Sequence, residues 1–374
     1  MKLSGLKVLD LSLFLPGPML TLMMADHGAN VIKVEPAGEG EPTRHLGYMK
    51  NGASIWFRNT QRGKRSIQLD LKSEDGKAVF WSLAKEADVI IEAFRPGVVD
   101  RLGVGYAAVK AVNPGIVYCS ISAFGQEGKY REKPAHDLAI QAMAGLVAHT
   151  EGFDGNPAPP GLVAGDALGS LTALSGVMMA LWRKDRTGQG DYLDVSMLDS
   201  LMAWTPNVSG KIFGTGEDIV PKHERPFGGQ AMNSLYECKD GGWVALGGSE
   251  VKFARNLLSA WERLDLLHYA EIPPGPGQYP LRDFFRSKFK EKTRAEWEAW
   301  FEGRDICFAP VRTLKDAFED EAAKERGMIA WDEAGNEIVG TPLRFKEEPG
   351  VIDVSIAAQD EHHAEIVARG WERP

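Results

Sequence analysis

Three ionisable side chains, spread over more than a hundred residues, each stand in a frame that could do chemistry. His136 follows Lys133-Pro134-Ala135 and precedes Asp137; Asp166 closes Val163-Ala164-Gly165; Glu250 closes Gly247-Gly248-Ser249. A histidine titrates near neutral pH, so His136 could take and return a proton. Asp166 lies between Gly165 and Ala167 at the head of an apolar stretch. Small, apolar neighbours point to a confined cavity, and the positive end of a helix favours the ionised carboxylate, which suits a nucleophile or a base. Each residue also has a plain structural reading. Asp166 could be an N-cap, His136 a surface or capping side chain, and Glu250 an acid placed for the helix dipole.

The elements that must position these residues read as an alternation of strands and helices. Leu6–Leu11 is a short apolar strand, and Pro16-Gly17-Pro18 opens a helix running to about His27. Strands follow at Asn30–Glu35, Ser66–Leu71, Asp88–Phe94 and Ile116–Ile121, with helices near Ser73–Ala87 and Tyr106–Val112. Two helices, Ala135–Leu146 and Ala167–Trp182, precede a strand at Tyr192–Met197. Apolar strands separated by helices argue for a parallel sheet buried on both faces, a Rossmann-like α/β domain. No strand runs into G-x-G-x-x-G, and no G-x-x-x-x-G-K-[ST] occurs, so neither a dinucleotide nor ATP is implied.

Gly214–Gly229 is rich in Gly, Pro and charge and reads as a linker. Beyond it a hairpin, Asn233–Lys239 with Trp243–Leu246, turns at Asp240-Gly241-Gly242, and helical patterns cover Val251–Arg263, Leu281–Glu291 and Ala295–Phe301. This is a second, smaller α+β domain. A last strand, Glu337–Phe345, is free to return to the large domain.

At 374 residues the chain is long for one core, and 44% apolar with 25% charged residues is the balance of a soluble globular enzyme. A net charge of −9 argues against nucleic acid or an anionic membrane as partner, so any anionic ligand must be held by local clusters of Lys and Arg. Cys119, Cys238 and Cys307 show no metal-ligand spacing and no disulfide framework, and a reducing cytoplasm is the expected compartment. The N-terminus lacks the apolar stretch of a signal peptide, so the sequon at Asn207-Val208-Ser209 carries little weight. The run Ala167–Trp182 is too short to span a bilayer and reads as a buried helix.

Several frames, in order, resemble family III CoA-transferases (CaiB/BaiF) and their relatives, the α-methylacyl-CoA racemases. They are Val8-Leu9-Asp10-Leu11-Ser12, Pro16-Gly17-Pro18, the stretch Ala25–Glu35, Lys64–Lys72, Ala87–Glu92, Arg95-Pro96-Gly97, Arg101-Leu102-Gly103, Thr187–Gly190 and Leu193–Asp199. With the His136, Asp166 and Glu250 frames, the similarity covers most of residues 3–255. The resemblance implies an interlocked homodimer, each chain threading through the other. It implies a large domain built from both termini, here 1–210 and 331–374, a linker at 211–230 and a small domain at 231–330. The substrate would be an acyl-CoA thioester, with no cofactor bound permanently and no metal. By position, Leu69, Lys72 and Arg101 fall where the family contacts the nucleotide end of CoA. An Arg common in the family after the second strand is Pro36 here, and Arg44 is the substitute considered.

Two chemistries fit. In the racemase reading, His136 and Asp166 work on opposite faces of the α-carbon, one removing its proton and the other delivering one. Glu250 then orients the histidine. In the transferase reading, Asp166 receives the acyl group and then carries CoA as a thioester to an incoming carboxylic acid. Gly228-Gly229-Gln230 resembles part of a mobile loop of some transferases, whereas an aromatic residue is commoner where His136 stands, and Leu15 replaces a Gln of one transferase branch. The racemase reading is preferred.

Overall fold

The computed structural model describes residues 1–152 and 154–373, divided into two compact units. The first unit comprises Met1–Ala144, Leu162–Ala203 and Phe318–Pro374. Its centre is a six-stranded sheet of β1 (Lys7–Asp10), β2 (Asn30–Pro36), β3 (Arg65–Leu69), β4 (Val89–Glu92), β5 (Val117–Ser122) and β6 (Asp191–Ser196). Every pairing is parallel, in the order β3-β2-β1-β4-β5-β6. Val8, Leu9, Val31, Ile32, Ile67 and Val89–Ile91 are buried, as strands covered on both faces require. The chain winds outward from β1 to β3 on one side, then from β4 to β6 on the other. The order therefore reverses between β1 and β4, and the crevice outside the carboxyl ends of those two strands is where open α/β sheets bind ligands.

Three helices matter for that crevice: α1 (Pro16–Ala25), α2 (Asp137–Met143) and α3 (Ala164–Thr187). Pro16 opens α1 at a position where the missing N–H costs no hydrogen bond. The helix expected over Ala135–Leu146 is interrupted: α2 ends at Met143, Gly145 takes a left-handed φ of 84°, and a separate turn covers Leu146–His149. The run expected over Ala167–Trp182 is longer than its apolar core, because small residues begin it and Arg183–Thr187 continue it. At 24 residues α3 is long enough, by length and composition alone, to cross a membrane, so the expectation that it is too short to do so does not hold. It packs on β5, β6, α1 and α2, yet Leu171, Met179 and Trp182 remain exposed, so it is not a fully buried helix.

The C-terminal segment returns to the first unit. Asn30 Nδ2 donates to Trp371 O at 2.8 Å, Trp371 Nε1 donates to Leu83 O at 3.1 Å, and Arg65 pairs with Glu365 at 2.6 Å. The strand expected over Glu337–Phe345 is confined to Glu337–Val339, paired antiparallel with Ile329–Trp331. Pro342 and Pro349 remove backbone donors beyond it.

The second unit comprises Gly145–Gly161 and Trp204–Ala317. Asn233–Glu237, Trp243–Gly247 and Phe308–Pro310 form an antiparallel sheet, and helices Val251–Ala260, Tyr279–Phe289 and Arg294–Phe301 accompany it. Its core is aromatic: Tyr236 stacks on Phe289 at 5.1 Å, and buried Trp297 donates to Phe289 O at 2.8 Å. The units divide near 203/204 and 317/318 rather than near 210 and 330. Residues 211–230 contain the end of a short helix, Gly210–Thr215, and the single turns Pro221–His223 and Arg225–Phe227, so they are not a bare linker.

Candidate active site

The chain leaves β1 at the switch point and reaches α1 through Leu11–Leu15. Ser170 Oγ on α3 donates to Pro16 O at 2.6 Å, which fastens α3 to the start of α1. Asp166 stands one helical turn before Ser170, so it is placed within about 6 Å along the α3 axis of that joint.

Asp166 is not the N-cap of α3. That position is Val163, which has no capping side chain, and Asp166 is the third helical residue. The cap comes from another helix. Asp137 Oδ1 accepts from Gly165 N at 2.7 Å and Asp166 N at 3.2 Å, while Asp137 Oδ2 accepts from Gln141 Nε2 at 2.6 Å. A Cβ at Gly165 would stand 2.9 Å from Asp137 Oδ1, so a larger residue there would push that carboxylate aside. Asp137 thus satisfies two otherwise orphaned N–H groups and sets a negative charge beside Asp166. Among the described residues, nothing donates a hydrogen bond to the Asp166 carboxylate. Burial, with the Asp137 charge added, pushes the Asp166 carboxyl up to about 6, and the charge of protonated His136 draws it partly back.

His136 is the N-cap residue of α2, in extended backbone, exposed, and with no side-chain capping bond. The structure therefore groups His136, Asp137 and Asp166 at one corner of the first unit. Glu250 belongs to the second unit, where it is the N-cap residue of Val251–Ala260 and makes no side-chain capping bond. The sequence frames pointed to His136 and Asp166, but they gave no sign that Asp137 caps α3 from 28 positions away.

The residues expected to hold CoA differ in what the structure allows. Leu69 ends β3 with its side chain in the core. Lys72 is exposed just beyond that strand, its backbone N bonded to Asp70 Oδ1 at 3.0 Å. Arg101 is exposed at the carboxyl side of β4, and a Cβ on Gly97 would stand 3.1 Å from Arg101 Nη1 and 3.3 Å from Arg131 Nη2. Two guanidinium groups therefore converge on a left-handed glycine with φ of 77°. Arg131 was missed because Lys129-Tyr130-Arg131-Glu132-Lys133 reads as a solvated charged loop. Arg44 is bound within the first unit. Its Nε and Nη2 donate to Glu35 at 2.9 and 2.6 Å, its Nη1 donates to Ala357 O at 3.0 Å, and its plane lies over Phe57. The buried Glu35 carboxylate needs a counter-charge, and Arg44 supplies it.

β4 ends in another buried acid. Glu92 Oε2 accepts from Phe94 N at 2.7 Å, which shapes the exit towards Arg95-Pro96-Gly97. Burial raises the Glu92 carboxyl to about 7, assisted by Asp100 and Asp194. Among the described residues, no group of His, Cys, Asp and Glu side chains is arranged to hold a metal ion.

Residues 3–360 match CoA-transferase family III. The chain is 31% identical to succinyl-CoA:glutarate CoA-transferase of Mus musculus over 331 residues, covering 87% of this chain and 76% of that protein. It is 32% identical to alpha-methylacyl-CoA racemase of Homo sapiens over 346 residues, covering 89% and 84%. A crystal structure of a CAIB/BAIF family protein from Brucella suis superposes with a TM-score of 0.85 at 29% identity, covering 98% of each chain. With a match over nearly its whole length, this chain belongs to CoA-transferase family III.

Proposed function

We propose that the chain acts on an acyl-CoA thioester and racemises a 2-methylacyl-CoA by removing and returning its α-proton. The observation that carries this reading is the Asp166 carboxyl, free of hydrogen bonds and raised to about 6, beside His136. A group poised near neutral pH can both accept and donate a proton. Neutral His136 takes the α-proton, breaking the C–H bond and leaving an enolate of the thioester. Protonated Asp166 delivers its proton to the opposite face, forming the new C–H bond, and the reverse direction exchanges the two roles. CoA enters and leaves as part of the substrate, and Arg101 with Lys72 is proposed to meet its phosphates, joined by Arg131.

The transferase reading has its own support in the similarity to succinyl-CoA:glutarate CoA-transferase. There the ionised Asp166 attacks the thioester carbonyl, giving an acyl-aspartyl anhydride and CoA thiolate. The thiolate displaces the carboxylic acid and leaves aspartyl-CoA, and an incoming acid reverses the sequence.

Mass spectrometry of 2-methylacyl-CoA in deuterated water separates the two. Deuterium enters the α-position without any added acid, and His136→Ala stops it. Absence of exchange, with acid-dependent appearance of new CoA thioesters, replaces the racemase reading with the transferase one.

A second copy is proposed as the partner of α3. Leu171, Met179 and Trp182 are spaced for one helical face and are 49%, 71% and 67% exposed. Sedimentation at micromolar concentration gives twice the chain mass; the mass of one chain excludes the dimer.

A further inference from the structure

Phe14 has a φ of 65°, and of the four non-glycine residues with positive φ among the described residues it is the only apolar one. A bulky side chain rarely takes that conformation. The strain does not serve core packing, since Phe14 is 40% exposed. The surroundings nonetheless hold it firmly. Phe14 N donates to Glu41 Oε1 at 3.0 Å. The other oxygen, Glu41 Oε2, faces Lys33 Nζ at 3.0 Å, and Lys33 Nζ also donates to Ser12 O. Asp10 Oδ1 accepts from Ser12 N at 2.9 Å. Thr43 donates to Glu41 Oε1 as well, from its N at 3.3 Å and its Oγ1 at 3.1 Å. Asp10, Lys33 and Glu41 are all buried. Buried charges are expensive, and here they converge on the backbone of one short loop.

The position of that loop gives the strain a use. Phe14 lies two residues before Pro16, whose carbonyl receives the Ser170 hydroxyl. Asp166 lies one helical turn from the same joint on the other side. Phe14 and Asp166 therefore flank one point at the switch of the sheet. We propose that Phe14 is the residue that selects the acyl group, and that Glu41 is its positioning residue. This rests on the acyl-CoA reading above, whichever of the two reactions the chain performs. An exposed ring turned out of the loop offers an apolar face to the acyl chain of a thioester whose carbonyl is at Asp166. Glu41 touches no substrate. As a carboxylate it accepts from Phe14 N with one oxygen and meets Lys33 with the other, a double duty that a glutamine cannot perform. With a single oxygen, the side chain introduced by Glu41→Gln must turn its amino group either towards the Phe14 N–H or towards the Lys33 ammonium, and both are donors.

The test uses the full-length protein with two substrates, 2-methylbutanoyl-CoA and 2-methyldecanoyl-CoA, and free CoA as a binding probe. Phe14→Ala changes the ratio of kcat/KM between the two substrates by about 10-fold or more, while the Kd of free CoA moves less than about 2-fold. Glu41→Gln shifts the same ratio in the same direction and lowers kcat, a change that mere loss of stability would not produce. An unaltered ratio in Phe14→Ala overturns the proposal. So does an equal loss for both substrates and for free CoA, which would make Phe14 a contact of the carrier. A wild-type protein that turns over neither thioester, with or without carboxylic acids, removes the underlying reading itself. Should Glu41→Gln fail to fold, Phe14→Ala decides alone, because the Phe14 side chain is 40% exposed and packs no core.

Discussion

Asp166→Asn loses acyl-CoA turnover by about 1,000-fold or more, whether the assay follows α-proton exchange or CoA transfer, because the amide can neither attack a carbonyl nor carry the proton. Affinity for free CoA stays within about 2-fold, since charge neutralisation of the phosphates falls to other residues. Folding behaves differently. The folded Asp166 carboxyl is raised from 3.8 to about 6. Its contribution to stability is therefore complete below pH 3.8 and is lost as pH rises through about 6. Above that window the ionised carboxylate costs the fold on the order of 3 kcal/mol, which the asparagine removes. The melting temperature of Asp166→Asn should thus exceed that of the parent at pH 8 and converge with it near pH 4. Activity within about 10-fold of the parent would exclude Asp166 from either mechanism.

The same carboxyl sets the pH profile. Transfer requires Asp166 ionised, so kcat/KM rises through about 6 and then levels. Proton relay requires His136 and Asp166 in opposite states, which gives a bell with one limb near that value. Asp137→Asn keeps an oxygen for Gly165 N and Asp166 N while removing the neighbouring charge, so the limb moves down.

The frame of this site was legible because parallel strands buried on both faces must be written as apolar runs. Val89–Glu92 sits inside the stretch that hydrophobicity marks, Val117–Ser122 is shifted one residue beyond its own, and the helix Tyr106–Val112 has the bounds expected. Of the candidate residues, His136 and Asp166 lie close enough for the histidine's charge to act on the carboxyl. What stayed hidden depends on partners far along the chain. No local pattern says that Asp137 caps α3, that Arg131 meets Arg101 at Gly97, or that Glu35 has claimed Arg44. Helix length was misjudged for a related reason. An apolar run marks only part of a helix, and Arg183–Thr187 add to α3 by continuing its turns. Composition likewise made residues 211–230 resemble a linker, although single turns and a short helix fill much of that stretch.

Asp10→Ala should be the most damaging substitution outside the chemistry, because Asp10 lies at the centre of the charges beneath the loop. Its carboxylate is wholly buried and accepts from Ser12 N at 2.9 Å, Ser12 Oγ at 2.5 Å, Thr21 Oγ1 at 2.5 Å and Lys64 Nζ at 3.2 Å. Burial alone would raise its pKa, but Lys33 and Lys64, with the Ser12 and Thr21 hydroxyls, bring it down to about 2. A depressed carboxyl contributes stability that is present above its unfolded value of 3.8 and lost as pH falls through about 2. Lys64 has the opposite history: burial lowers it to about 8, even with Asp10 beside it. Removing Asp10 leaves Lys64 buried with its amine facing Gln61 Oε1 and Pro18 O, and leaves Lys33 with Glu41 and the Ser12 carbonyl. Breaking a buried pair in this way costs about 3–5 kcal/mol, or roughly 10 °C in the melting of the first unit. Asp10→Asn, which keeps an acceptor but not the charge, should fall between the alanine variant and the parent. The second unit, with its own aromatic core, should melt unchanged. Differential scanning calorimetry at pH 7 resolves the two, and an Asp10→Ala protein within about 2 °C of the parent would show that the buried charges carry no weight in the fold.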